Sequence, residues 1–97
     1  MDKQEIAIAK RQIRQLQRQL TELGPVMRGS VVIIGTRSKQ PYFSLNKDKK
    51  TRLIYLGRKR EAKAREYSEN YKRLLEIVEE MTILNMELLK HDSSEQS

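Results

Sequence analysis

Residues 29–57 read GSVVIIGTRSKQPYFSLNKDKKTRLIYLG, and this stretch decides the fold. It begins and ends with glycine and contains three runs rich in β-branched and aromatic residues, which favour strands. Short polar segments separate the runs, and consecutive strands with short connections pair antiparallel. The sequence therefore predicts a three-stranded β-meander over residues 30–57. Its strand-forming runs are residues 31–34, 42–46 and 51–56.

The register of the second hairpin determines which side chains share a face of this sheet. Residues 47–50 are predicted to form the connecting loop, and one register places Asn46 opposite Thr51. In that register one face carries Phe43, Leu45, Ile54 and Leu56, and the other carries Tyr42, Ser44, Thr51, Leu53 and Tyr55. A slip of one residue would exchange the two sets, so both registers remain open at this point.

Helical periodicity marks the segment before the meander. Over residues 4–23 apolar side chains recur at spacings of three and four, which is typical of a coiled-coil helix. These residues are Ile6, Ala9, Ile13, Leu16, Leu20 and Leu23. Gly24 and Pro25 are predicted to end the helix, because glycine suits a left-handed cap and proline cannot continue the hydrogen-bond ladder.

A longer helix is predicted after the meander, over residues 59–91, with a disordered polar tail at residues 92–97. Its apolar seam has the same spacings and consists of Ala64, Tyr67, Tyr71, Leu74, Val78, Met81, Asn85 and Leu88. We interpret Tyr67 and Tyr71 as packing residues. Asn85 has two interpretations: a polar seam residue that fixes register or oligomeric state, or the solvent-exposed end of the seam.

Together these elements predict an α+β fold in one domain, residues 1–97: an antiparallel helical hairpin with a small β-head between its helices. The second half of the later helix carries an apolar stripe that is too wide for one partner helix. A homodimer with a four-helix core is the simplest way to bury that stripe. The predicted interface consists of Leu74, Leu75, Ile77, Val78, Met81, Leu84, Asn85, Leu88 and Leu89.

Positive charge is concentrated in the meander. Residues 24–60 contain ten Lys or Arg and one Asp, a net charge of +9, whereas residues 1–23 carry +2 and residues 61–97 carry −4. A basic surface on a small scaffold is typical of polyanion binders, and we predict binding of nucleic acid, DNA in preference to RNA, mainly through phosphates. The predicted binding residues are Arg37, Lys39, Tyr42, Lys47, Lys49, Lys50, Arg52, Arg58, Lys59 and Arg60. The alternative is that these cations only keep a small, open-edged sheet soluble.

Residues for other classes of function are missing from the sequence. With no cysteine and a single histidine, His91, we predict neither disulfides nor a metal site. There is no nucleophile with an adjacent base and no glycine-rich phosphate motif, so we expect no enzymatic activity and no cofactor. No run reaches the roughly 18–20 apolar residues of a transmembrane helix, and no signal-type stretch follows Met1. The expected location is the cytoplasm, without membrane association.

From Pro41 onward the chain resembles a small prokaryotic domain family of unknown function that is often encoded in or beside transposons. The resemblance rests on QPYFSL at 40–45, KTR at 50–52, IYLG at 54–57, YKRL at 71–74 and LNMELL at 84–89, and it covers about half of the chain. It implies a DNA-linked role in a mobile element or phage. Cysteines that precede the Pro-Tyr strand in that family have no counterpart here, so a metal role is not implied. The hairpin is also similar to the three-stranded sheets with which phage-type integrases bind DNA, a likeness of fold alone.

Two protein-binding alternatives remain beside nucleic-acid binding. A prefoldin-like chaperone subunit has the same order of helix, β-hairpins and helix, with helix tips that hold unfolded chains. A small phage- or mobile-element-encoded inhibitor of another protein is the second alternative. Either would act as a coiled-coil protein-interaction module.

Overall fold

The structure, a computed structural model, describes residues 1–92. In chain order it contains a helix, three strands and a longer helix: α1 (Lys3–Glu22), β1 (Ser30–Ile34), β2 (Gln40–Lys47), β3 (Lys50–Tyr55) and α2 (Gly57–His91). The predicted α+β class and order of elements are confirmed. The tail predicted at residues 92–97 lies outside the described residues, apart from Asp92.

The chain divides into two compact units. The helical unit consists of residues 1–23 together with α2 from Leu74 onward. The sheet unit consists of residues 24–73 and so includes the three strands and the first half of α2.

A complete capping box starts α1. The Asp2 carboxylate accepts a hydrogen bond from the backbone N–H of Glu5 at 2.8 Å, and the Glu5 carboxylate accepts one from the backbone N–H of Asp2 at 3.1 Å. The box satisfies two N–H groups that a helix start leaves free. At the other end Leu23 is extended (φ −63°, ψ 141°), and Gly24 does not have a positive φ. The left-handed cap expected at Gly24 is therefore wrong, because a residue that precedes proline favours extended backbone.

Within the helical unit, α1 runs antiparallel to the second half of α2. The amino nitrogen of Met1 lies 3.2 Å from both ring nitrogens of His91, which places the first residue of the chain beside the last residue of α2. Ala9 and Leu16 are the buried residues of α1. Their spacing of seven agrees with the heptad pattern predicted for this helix.

The seam of α2 differs from the predicted one at two positions. Ile77 is completely buried (0% exposed), whereas Val78 is about half exposed. One heptad further on, Leu84 is partly buried and Asn85 is exposed. Placing Val78 and Asn85 in the seam was therefore wrong, since the buried stripe runs through the residue before each of them. The exposure of Asn85 favours the second of its two interpretations, a position in contact with solvent.

The sheet is an antiparallel meander in the order β1-β2-β3. Asn46 lies opposite Thr51, which confirms the register considered first, and the Thr51 hydroxyl donates to the Asn46 side-chain oxygen at 2.7 Å. β2 is longer than predicted and β3 begins one residue earlier, because Lys47 pairs with Lys50 and only two residues remain in the connection. The predicted four-residue loop is wrong: both turn residues have positive φ, which permits a two-residue hairpin.

The two faces of the sheet have different surroundings. The covered face, which packs against α2, carries Val31, Phe43, Leu45, Lys47, Lys50, Arg52 and Ile54. The open face carries Val32, Tyr42, Ser44, Asn46, Thr51, Leu53 and Tyr55. Phe43, Leu56 and Ala64 form the core of the sheet unit, against which Met27, Val31 and Leu45 pack. This core fixes β2 on the first half of α2.

The connection between α1 and β1 is fastened to α2 by hydrogen bonds. The hydroxyl of the buried Ser68 donates to the carbonyl of Gly29 at 2.7 Å, and the Asn70 amide donates to the carbonyl of Pro25 at 2.8 Å. The backbone N–H of Met27 donates to an α2 carbonyl at 3.1 Å. Since a buried hydroxyl without a partner costs about 1–3 kcal/mol, the Ser68 bond fixes where β1 begins.

Candidate nucleic-acid interface

Within residues 1–92, the ten cations of residues 24–60 have no acidic partners. Asp48 is the only carboxylate in this segment, and no carboxylate of residues 1–92 forms an ion pair with any of the ten. Ion pairs do form along α2, as between Glu61 and Arg65 at 2.8 Å. Because no carboxylate of the described residues offsets the mutual repulsion of these cations, binding of a polyanion would lower their electrostatic energy.

The cations form two groups at opposite ends of the sheet. The tip group, near the turn between β2 and β3, consists of Arg28, Lys47, Lys49, Lys50 and Arg52. The base group, where α2 begins, consists of Arg37, Lys39, Arg58, Lys59 and Arg60. β2 has eight residues, so at about 3.4 Å per residue the groups are roughly 24 Å apart. The predicted binding residues therefore do not meet in one place.

Two lysines of the tip group lie directly opposite each other. Lys47 pairs with Lys50 across the last rung of the hairpin, and both side chains are exposed. Like charges in such a cross-strand pair destabilise a sheet, by an amount of the same order as the roughly 0.2–1 kcal/mol that opposite charges contribute. An anion bound between the two lysines would remove this cost.

Arginines in both groups are held by backbone carbonyls. Arg28 donates to the carbonyl of Asn46 at 3.1 Å, and Arg60 donates to the carbonyls of Tyr55 and Leu56 at 2.7 and 3.0 Å. These bonds restrict the guanidinium groups, so less side-chain entropy is lost when an anion binds. They also give Arg60 a structural role that its position in the sequence did not indicate: it joins the end of β3 to the start of α2.

The start of α2 is unusually electropositive. Its first turn contains no acidic residue, while Arg58 and Lys59 lie within it and are exposed. Free N–H groups already give a helix N-terminus a partial positive charge, and cations there oppose it by about 0.3–1 kcal/mol each. The arrangement adds to the positive potential of the base group.

Tyr42 and Arg52, both predicted to contact nucleic acid, lie on opposite faces of the sheet. On the open face Tyr42 packs edge-to-face against Tyr55, with ring centroids 5.5 Å apart and an interplanar angle of 69°. The Tyr55 hydroxyl donates to the Gln40 side-chain oxygen at 3.2 Å. Arg52 lies on the covered face opposite Leu45. One flat surface of a duplex cannot contact both.

The residues predicted to form an oligomer interface also separate into two sets. Ile77 is buried within the chain, and Leu74, Met81, Leu84 and Leu88 are partly buried. Exposed apolar residues form a second stripe on α2, which we call the outer stripe: Leu75, Val78, Met86 and Leu89. Leu89 is the most exposed of them, at 68%. Met86 was missed from the sequence, although its spacing of eleven from Leu75 puts it on the same side of the helix.

Three comparisons with known proteins give no match. No protein family, no curated protein and no solved structure is significantly similar to the chain. Over residues 1–92, no three His, Cys, Asp or Glu side chains lie close enough together to hold a metal ion. Neither helix, as far as it is described, is long and apolar enough to cross a lipid bilayer.

Proposed function

We propose that this protein binds duplex nucleic acid, DNA in preference to RNA, through the tip group of the sheet. The observation that carries the proposal is a set of five cations around one hairpin end with no acidic partner among residues 1–92. Such a set matches the phosphate-dominated contacts of nucleic-acid binders. The resemblance to a transposon-associated family extends the proposal to an accessory role in a mobile element or phage.

The hairpin of β2 and β3 is the element that we propose to enter the major groove. A two-stranded ribbon fits this groove, which is about 12 Å wide. Lys47, Lys49 and Lys50 then contact phosphates on either side. Arg52 lies on β3 two residues after Lys50, and its side chain is exposed. We therefore propose that Arg52 contacts a base edge. Arginine bound to guanine by two hydrogen bonds is the commonest specific contact.

The base group adds a second contact at a distance. Its separation from the tip group, roughly 24 Å, corresponds to about seven base-pair steps at 3.4 Å each. Arg37 and Lys39, in the connection between β1 and β2, are both exposed. We assign them to phosphates further along the same duplex, where they strengthen binding without reading sequence.

We further propose that the protein is a homodimer formed through the outer stripe of α2. Leu75, Val78 and Leu89 belong to this stripe and are exposed. Thr82 lies among them, and its hydroxyl donates to the Val78 carbonyl at 2.7 Å, so it offers no unpaired donor to a partner helix. Fully burying a large aliphatic side chain contributes roughly 1.5–3 kcal/mol, which is the driving force for association.

The exposed outer stripe also favours a second candidate function, a coiled-coil protein-interaction module. In that case a different protein covers Leu75, Val78 and Leu89, as in a chaperone subunit or an inhibitor. The oligomeric state of the purified chain distinguishes the homodimer from the protein-interaction module. A stable homodimer buries the outer stripe, so no exposed apolar surface of the stripe remains for a helix of another protein.

Fluorescence anisotropy with a labelled DNA duplex tests nucleic-acid binding. Measurements at several salt concentrations, on the wild type and on a variant with Lys49 and Lys50 replaced by alanine, are compared with an RNA duplex of the same sequence. We expect affinity that falls steeply with salt and is higher for DNA. Binding that ignores salt, or that the double variant leaves unchanged, would contradict the proposal and favour the protein-interaction module.

A further inference from the structure

The covered face of the sheet is only partly covered. α2 and the connection before β1 bury Phe43 of the central strand to 5% exposure, yet Ile54, its direct partner on β3, is 56% exposed on the same face. Three strands spaced about 4.8 Å apart make a sheet wider than one helix of about 10 Å can cover. Among residues 1–92, the β3 side of this face therefore lacks a neighbour.

Two cavities lie along this uncovered side and form one groove. The larger has a volume of about 620 Å³ and the smaller about 210 Å³. Met27, Phe43 and Ile54 line both, so the cavities adjoin. The larger continues toward the tip of the hairpin past Leu45, and the smaller continues toward α2 past Ala64. The floor is aliphatic and aromatic along its whole length.

Cations line both ends of the groove. Arg28, Lys47 and Arg52 lie along the larger cavity, and Arg60 and Lys63 lie along the smaller one. No carboxylate of residues 1–92 lines either cavity. Arg28 and Arg60 are held by hydrogen bonds to backbone carbonyls, so two of the five charges are fixed in position before any ligand binds.

We propose that this groove binds an acidic amphipathic helix of a partner protein. An apolar floor with cations at both ends is complementary to a helix with an apolar stripe and carboxylates near each of its ends. A second helix beside α2 would complete the layer that the sheet lacks. At 1.5 Å per residue, about 16 residues span the roughly 24 Å length of β2.

Other occupants fit the groove less well. A nucleic-acid backbone would contact the cations but would leave the floor around Met27 and Ile54 without apolar partners. Pockets for small molecules bury most of their ligand, whereas Ile54 in the floor is more than half exposed, so a small ligand would remain largely in water. The helix site is argued independently of the nucleic-acid proposal, although Arg28, Lys47 and Arg52 belong to both the tip group and the groove.

Selection from a displayed library of random peptides of about 16 residues tests the groove. The wild-type chain is the bait, and the recovered sequences are then synthesised with a fluorescent label for affinity measurement. We expect Leu, Ile or Phe at positions i, i+3 or i+4 and i+7, with Asp and Glu enriched toward both ends of the peptide. Recovered sequences that are neutral or basic overall would overturn the proposal.

Matched variants locate the binding. Ile54→Glu places a carboxylate in the floor and should weaken the selected peptides by about tenfold or more. Ile34→Glu makes the same change at an exposed strand residue of the open face, outside both cavities, and should alter affinity by less than about twofold. If the Ile54 variant fails to fold, Lys63→Glu tests the smaller cavity instead. Lys63 lies on the exposed surface of α2, so its substitution leaves the sheet unaltered and should weaken peptide binding.

Three results would overturn the inference. The first is full peptide affinity in both Ile54→Glu and Lys63→Glu. The second is light scattering that shows a wild-type dimer and an Ile54→Glu monomer, which would assign the groove to a second copy of this chain. The third is loss of peptide binding when Lys49 and Lys50 are replaced by alanine, since neither residue lines the groove and only the nucleic-acid surface needs them.

Discussion

Asp48 and Lys49 both adopt left-handed backbone conformations, with φ of 55° and 64°, and together form the whole turn between β2 and β3. A two-residue turn with two positive φ values matches the twist of the strands that it joins. Asp tolerates this conformation, but the second position strongly favours glycine. Lys49 thus carries backbone strain in exchange for a positive charge at the hairpin end.

Lys49→Gly should stabilise the sheet unit by about 1 kcal/mol, because glycine removes a left-handed penalty of about 1–2 kcal/mol and adds some unfolded-state entropy. For a chain of this size the midpoint of thermal unfolding should rise by roughly 4–8 °C. Lys49→Ala is the matched control: it removes the same charge and keeps the strain. Equal melting temperatures for the two variants in circular dichroism would show that the turn is not strained.

Gly29→Ala should be strongly destabilising, by about 2–4 kcal/mol. Gly29 has φ of 145°, and an added Cβ would lie 2.6 Å from both the Phe43 ring and the backbone oxygen of Ser44. Because a central strand and a core ring would have to move, the cost cannot be relieved locally. Urea unfolding followed by circular dichroism measures the change in the free energy of unfolding.

Gly24→Ala is the control for that experiment. There the nearest atom to an added Cβ is the side-chain nitrogen of Asn70, at 3.1 Å, and the backbone conformation is open to alanine. We expect a change within about 1 kcal/mol. A Gly29→Ala variant as stable as Gly24→Ala would contradict the close approach of Gly29 to Phe43 and Ser44 of β2.

The sequence predicted the sheet well because its signals are local. The alternation of Phe43 and Leu45 with polar residues predicted that these two share a face, and of the two registers left open the structure has the one that pairs Asn46 with Thr51. The turn itself was misjudged, because Asp48 and Lys49 lack the glycine that marks a two-residue hairpin. Only the pairing of both strands up to the turn forces their backbone into the left-handed region.

Long-range features were harder to predict. Ile77 and Val78 are adjacent, and both continue a spacing of three or four, so periodicity could not decide which one is buried. The choice depends on where α1 lies around α2. Likewise the groove beside Ile54 depends on how much of the sheet one helix covers, and no run of residues encodes that width.

Leu89→Asp should weaken homodimerisation by about 10–100-fold. Burying a large aliphatic contributes roughly 1.5–3 kcal/mol, and 1.4 kcal/mol corresponds to a factor of ten. Analytical ultracentrifugation over a range of concentrations gives the dissociation constant. Leu88→Asp should weaken assembly as well, but Leu88 is partly buried within the chain, so its effect on folding is not separable.

Ile83→Asp is the control for the dimer. Ile83 is 54% exposed, but at 100° per residue it lies about 100° around α2 from the centre of the outer stripe. Its substitution should leave the dissociation constant within about threefold of the wild type. A wild-type chain that is monomeric at micromolar concentration, or equal effects at Leu89 and Ile83, would contradict a dimer through the outer stripe.

Salt dependence is the most direct test of the tip group. If its five cations each neutralise one phosphate, log affinity plotted against log salt concentration should have a slope of about −4 to −5. Replacing Lys49 and Lys50 by alanine should reduce the magnitude of this slope by about 2 and weaken all sequences alike. Arg52→Ala should change sequence preference as well as strength, because a base-edge contact distinguishes sequences and a phosphate contact does not.

Replacing Lys3 and Lys10 of α1 by alanine is the control for the salt dependence. It removes the same charge from exposed positions outside the sheet unit and should leave the slope unchanged. If both double variants change the slope equally, binding depends on net charge, and the unpaired cations at the hairpin serve solubility rather than recognition.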